Sequence, residues 1–108
     1  MGASRIVSAA CESSYSVEVT SLDDLVSSLG LTKVDFIKCD AEGADVDIIM
    51  SGEQTLVRYK PRIAVTTYHA HDHYRTLHTY LTGLGYHVRG KGYMYNNGKY
   101  VAVMLHAN

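Results

Sequence analysis

The chain holds one proline, two cysteines and no tryptophan in 108 residues, and no apolar run approaches the length of a membrane span. Two cysteines do not make a disulfide framework; Cys39 falls inside an apolar run and Cys11 in a serine-rich one, which reads as two free thiols in a reducing compartment. Ten Lys and Arg against eleven Asp and Glu leave a net charge of -1, without the basic excess that nucleic acid or an anionic membrane requires. The N-terminal apolar residues Ile6, Val7, Ala9 and Ala10 are too few for a signal-peptide core, and Ile6 stands where a myristoylation pattern wants Ser or Thr. Repeats, low-complexity segments and linkers are also lacking. The expectation is one small cytoplasmic domain that binds no nucleic acid and no membrane, with residues 1–14 poorly ordered and a possible short strand at Arg5–Ala9.

What is present centres on Val34–Asp45 (VDFIKCDAEGAD). A run of β-formers stops at Asp40, and a helical pattern resumes at Asp45. Between them lie two carboxylates two residues apart and Gly43. Ligand sites in α/β sheets lie beyond the carboxyl ends of strands, where such a loop would sit. Upstream, Ser16–Thr20 alternates as a strand. Ser21 then caps a helix with Leu22, Leu25, Val26 and Leu29 on one face and Asp23 and Asp24 in the first turn, ended by Gly30. The strand 34–39 reads as unalternating, hence covered on both faces as in a parallel sheet. Downstream, Val46, Ile49 and Met50 mark a helix interrupted at Ser51-Gly52. Glu53–Tyr59 forms a second helix that Pro61 stops, and Arg62–Tyr68 a buried strand. His73–Leu84 is amphipathic and closed by Gly85. Tyr86–Tyr95 and Lys99–His106 flank Asn96-Asn97-Gly98, a strong hairpin signal, because both central residues of a type I′ turn need positive φ. Alternating elements with a closing hairpin predict an α/β fold: mostly parallel strands with helices, ending in one antiparallel strand.

This order is similar to the second half of a class I methyltransferase of Rossmann-like fold. Thr20–Leu25 (TSLDDL), Val34–Asp45, Ser51-Gly52-Glu53 and Tyr59–Ala64 (YKPRIA) resemble the ordered motifs of the FkbM-type methyltransferases, "TLDDL", "IKxDxEGxE", "GA/GE…L" and "KPxIxxE". The resemblance covers roughly residues 15–106 and implies S-adenosylmethionine as cofactor and methylation of a small-molecule hydroxyl acceptor. Two departures stand out. Thr66 or Thr67 occupies the place of the family's acidic residue after the proline, and the glycine-rich first strand–loop–helix has no counterpart. The chain therefore looks like the C-terminal half, residues 15–108, of such a domain, with the N-terminal cofactor-binding half missing. An open edge on strand 34–39 would then invite a homo-oligomer, or a partner supplying that half.

Asp40 and Glu42 are the catalytic candidates. Methyl transfer to oxygen needs positioning and a base for the acceptor hydroxyl, and paired carboxylates push one pKa upward. The resemblance places Asp40 beside the cofactor's methionine end, as the cofactor-binding residue, and Glu42 nearer the acceptor. The alternative is that both carboxylates cap the helix starting near Asp45 and satisfy loop amides. Tyr68, His69 and His71, at the end of the next strand, are the candidate rim of the acceptor pocket. In an extended segment 69, 71 and 73 would share a face, and Asp40, Asp72 and His69 could approach a metal, but the spacing matches no zinc signature and no metal site is assigned. Lys38 reads as a charge that snorkels at the strand end, and the late tyrosines as hairpin packing. A catalytic chain, complete or completed by assembly, and a non-catalytic half-domain that self-associates without cofactor both remain open at this point.

Overall fold

The computed structural model describes residues 20–70, 72–96 and 98–108. The elements run α1 (Leu22–Ser28), β1 (Phe36–Cys39), α2 (Asp45–Met50), α3 (Glu53–Tyr59), β2 (Arg62–Thr66), α4 (His73–Gly83), β3 (Val88–Asn96) and β4 (Lys99–Ala107). The expected strands at Arg5–Ala9 and Ser16–Thr20, and the expected disorder of residues 1–14, fall on or reach into positions outside the described residues.

The sheet order is β1-β2-β4-β3. β1 pairs with β2 in parallel, and β4 pairs antiparallel with both β2 and β3. The expected mostly parallel sheet is therefore a mixed one. Three strands run the same way, but the hairpin inserts the reversed β4 between β2 and β3 and makes two of the three pairings antiparallel. The hairpin register ends at Asn96↔Lys99, with Gly98 at φ +82°, as a two-residue turn demands. Tyr95 and Tyr100 face each other across it edge to face, centroids 5.1 Å apart. Tyr86, in contrast, lies outside the hairpin. It is buried, its hydroxyl donates to the Pro61 carbonyl at 2.7 Å, and the Lys60 ammonium sits 4.8 Å above its ring.

One core joins the helices to one face of the sheet: Ile49 of α2, Leu56 of α3 and Leu77 and Leu81 of α4 pack with Cys39, Ile63, Val65 and Leu105. The opposite face carries Phe36, Lys38, Arg62, Arg89 and Lys91, all exposed. Among the described residues β1 is thus covered on one face and not on both as its sequence suggested; Phe36 is 52% exposed. Phe36 and Lys38 alternate with Ile37 and Cys39, and only the second pair meets a helix layer.

Two motifs brace the helices. Ser21 caps α1 by accepting from the Asp24 amide at 3.0 Å. Asp23 reaches across to α3, accepting from the Gln54 amide, the Thr55 amide and the Thr55 hydroxyl at 3.1, 2.8 and 2.7 Å. Ser51 returns the contact by accepting from the Leu22 amide at 2.9 Å. At Gly52 a Cβ would collide with Leu22 Cδ2 and come within 2.9 Å of Cγ, so the close crossing of α1 over this turn requires glycine. Both α1 and α4 end in Schellman geometry: Leu31 and Tyr86 donate back to Val26 and Leu81, and Gly30 and Gly85 take φ of +66° and +92°.

Candidate active site

The segment after β1 is gathered by one buried side chain, Asp45. This residue opens α2 and is fully buried. Its Oδ1 accepts from the Ala41 amide at 2.7 Å and the Cys39 thiol at 3.2 Å, and its Oδ2 from the Gly43 amide at 3.3 Å; the single Thr66 hydroxyl proton lies between Asp45 Oδ1 at 3.5 Å and the nearer Asp40 Oδ1 at 3.2 Å. Burial alone pushes a carboxyl upward. Here the bonds from Ala41, Cys39 and Gly43, with the neighbouring His69, outweigh burial and hold Asp45 below the ordinary 3.8. The Cys39 thiol moves the other way, to about 12, through burial first and then the Asp45 and Asp40 carboxylates.

The loop tip has Glu42 at φ +51° followed by Gly43 at +111°. A Cβ on Gly43 would meet nothing within 4 Å, so conformation and not space calls for glycine there. A non-glycine residue in the left-handed region costs about 1–2 kcal/mol, and strain of this kind clusters at functional sites.

Asp40 and Glu42 do not cap α2. Its cap position is Ala44, with no side-chain bond, and Asp45 already takes the loop amides. Both candidate carboxylates are left exposed. Asp40 extends from the carboxyl end of β1, its side chain 58% exposed; it accepts from the Thr66 hydroxyl at 3.2 Å and lies 3.8 Å from His69 Nε2. That nitrogen is buried and has no hydrogen-bond partner among the described residues. The His69 ring rests on Tyr68, centroids 4.1 Å apart, and Tyr68 is 44% exposed. The ends of β1 and β2 therefore bring together Asp40, Thr66 and His69, with Tyr68 alongside. Glu42 stands at the loop tip, and His71 lies outside the described residues. Among the described residues no three His, Cys, Asp or Glu side chains surround a common point as a metal would require. No helix among them is long and apolar enough to cross a membrane. A cavity of about 420 Å³ between α1 and α3 contains none of the candidate residues.

The sequence reading passed over Asp45, whose partners Cys39 and Thr66 are brought to it by the fold. Its spacing from Ala41 and Gly43, an acid two and four residues after loop amides, was the available signal. Thr66, noted as a departure, supplies a hydroxyl to Asp40.

Strand, acidic loop and helix, in this order and with this bracing, agree with the family model described as Methyltransferase FkbM domain, which matches residues 4–88. The chain belongs to the FkbM methyltransferase family. Over 53 residues it is 43% identical to the 2-O-methyltransferase NoeI of Sinorhizobium fredii (strain NBRC 101917 / NGR234), a match covering 49% of this chain and 21% of that protein. The chain spans about a fifth of that relative's length. No solved structure matches. In this FkbM domain the α1 and α2–α3 motifs brace the helices, and VDFIKCDAEGAD forms the strand-end loop.

Proposed function

We propose that Asp40 and Glu42 are the working carboxylates of an S-adenosylmethionine-dependent O-methyltransferase acting on a small-molecule hydroxyl acceptor. The observation that carries this is the division of labour in the loop: Asp45 satisfies the backbone and leaves two carboxylates exposed beyond β1. Membership of the FkbM family supports the reading, and so does the 2-O-methyltransferase named among its relatives. The donor set fits the cationic methionine end of the cofactor, since an exposed carboxylate complements ammonium and sulfonium charge. In this reading the adenosine end of the cofactor is held by a second copy of this chain, so that the chain by itself is able to bind.

Bound S-adenosylmethionine supplies an electrophilic methyl group. Asp40 holds its positive end, oriented by the Thr66 hydroxyl and backed by His69. Glu42, at the strained tip, takes the proton of the acceptor hydroxyl as the oxygen becomes a nucleophile. Tyr68 and His69 border the acceptor, with His71 following them in sequence.

Calorimetric titration of S-adenosylmethionine into the 108-residue chain tests this. Saturable binding is expected, weakened at least tenfold in Asp40→Asn and little changed in Glu42→Gln. A folded sample that gives no saturable heat removes the reading for this chain. It would favour the second one, a non-catalytic half-domain that self-associates without cofactor, which has the exposed β1 in its support.

A further inference from the structure

The face of the sheet away from the helices has its own constellation, at the opposite end of β2 from Asp40. Pairing register places Lys38, Ala64, His106 and Arg89 in one row across β1, β2, β4 and β3. Arg62, two residues before Ala64, shares their face. All of these but Lys38 line a cavity of about 240 Å³, together with Phe36, Ile63, Ala107 and Asn108. Ala64 gives it depth, because a larger residue in mid-row would fill it. The Arg62 guanidinium lies 5.9 Å above the Phe36 ring, which restrains it over the rim. No Asp or Glu side chain lines the cavity. The ion pairs among the described residues, Lys33–Asp35 and His69–Asp40, involve neither arginine. The carboxyl group of Asn108, at the rim, accepts from the His87 amide at 2.8 Å and the Asn108 amide donates back at 3.0 Å, so its charge is met by the His87 amide and not left facing the cavity alone.

We propose that Arg62, Arg89 and His106, around Ala64, form a binding site for a tetrahedral dianion, a phosphoryl or sulfuryl group. Two guanidinium forks match the oxygen pairs of such an anion bidentately, and the imidazole adds a ring N–H donor. The volume lies below the roughly 300–1,000 Å³ of pockets for drug-sized ligands, so it suits one anionic group and not a whole nucleotide. Arg62 stands four positions before Thr66 along β2, roughly 13 Å at about 3.3 Å per residue, which makes this site distinct from the acidic loop and independent of the methyl-transfer reading.

The test is an NMR titration of the ¹⁵N-labelled 108-residue chain with inorganic phosphate, and separately with inorganic sulfate, at matched ionic strength. Saturable shifts are expected at the Arg62 and Arg89 side-chain Nε–H groups and at the amides of residues 62–64, 89 and 106–108. Midpoints should lie in the millimolar range. Arg62→Gln and Arg89→Gln should each weaken binding at least fivefold, and Lys91→Gln, on the same face, less than twofold. All three residues are exposed, and an otherwise unchanged spectrum verifies the fold. Phosphate binding without sulfate binding points to a phosphorylated source, and equal binding to recognition of charge and shape alone; either upholds the site. Shifts that grow linearly with salt, equal binding by the variants, or a response only to heparin or duplex nucleic acid would overturn it, the last in favour of an extended polyanion surface.

Discussion

Replacing Asp45 separates the structural carboxylate from the exposed ones. In Asp45→Asn the side-chain oxygen can still accept from Ala41, Cys39 and Thr66, but as a neutral group, and its new NH₂ faces the Gly43 amide donor to donor. A hydrogen bond to a charged group contributes about 1.5–3 kcal/mol and a neutral one about 0.5–1.5. Losing the charge on the 2.7 Å bond therefore costs about 1 kcal/mol, and stranding the Gly43 amide about 1 more. The expected loss is about 2 kcal/mol, rising to about 4 for Asp45→Ala, which removes both acceptors. Asp40→Ala breaks one 3.2 Å bond on an exposed side chain and should cost about 0.5 kcal/mol. Urea unfolding followed by circular dichroism at pH 7 measures all three. The acid dependence gives an independent check. Asp45 in the folded state titrates below 3.8, so its contribution is complete above that value and is lost as pH falls through the folded one. The gap between wild type and Asp45→Asn should accordingly close in acid. If Asp40→Ala is as costly as Asp45→Asn, or the gap holds or widens as pH falls, the assignment of roles within the loop is wrong.

Gly52→Ala should destabilise by about 1–3 kcal/mol through overpacking on Leu22, and Leu22→Ala in the same chain should recover part of that; a strictly additive double variant would contradict the close crossing. Cys39, with its thiol at about 12, should resist iodoacetamide at pH 8 until the chain unfolds, as read by mass spectrometry of its peptide; rapid labelling of the folded chain would refute the buried, carboxylate-flanked setting.

The sequence was legible wherever structure is local. The span Glu53–Tyr59 agrees residue for residue, because Gly52 and Pro61 bracket it, and the Asn-Gly turn located the hairpin. The central strand came out shorter, Phe36–Cys39 in place of 34–39, since Val34 and Asp35 precede its parallel register with Arg62. Its burial was misread because an apolar run does not reveal how many layers the fold supplies. Asp23 appeared as a first-turn acid of its own helix, and its bonds to Thr55, 32 residues away, carry no local signature. The acidic loop was found, but the division of roles among its three acids depends on where Thr66 and Cys39 come to lie, which only the assembled sheet determines.

The placement of β4 between β2 and β3 makes the last strand the one on which the sheet depends. Among the described residues, β3 joins the sheet only through β4, which leaves the ribosome after it. Without β4, β3 has two open edges and β2 lacks its inner neighbour. Its glycines, Gly90 and Gly92, and its charges, Arg89 and Lys91, are the residue types that keep an unpaired strand from pairing with another chain. Two of the three pairings in the described sheet therefore depend on β4. A chain cut shortly before Lys99 would keep the β1–β2 pairing and leave β3 with no strand to join among the described residues.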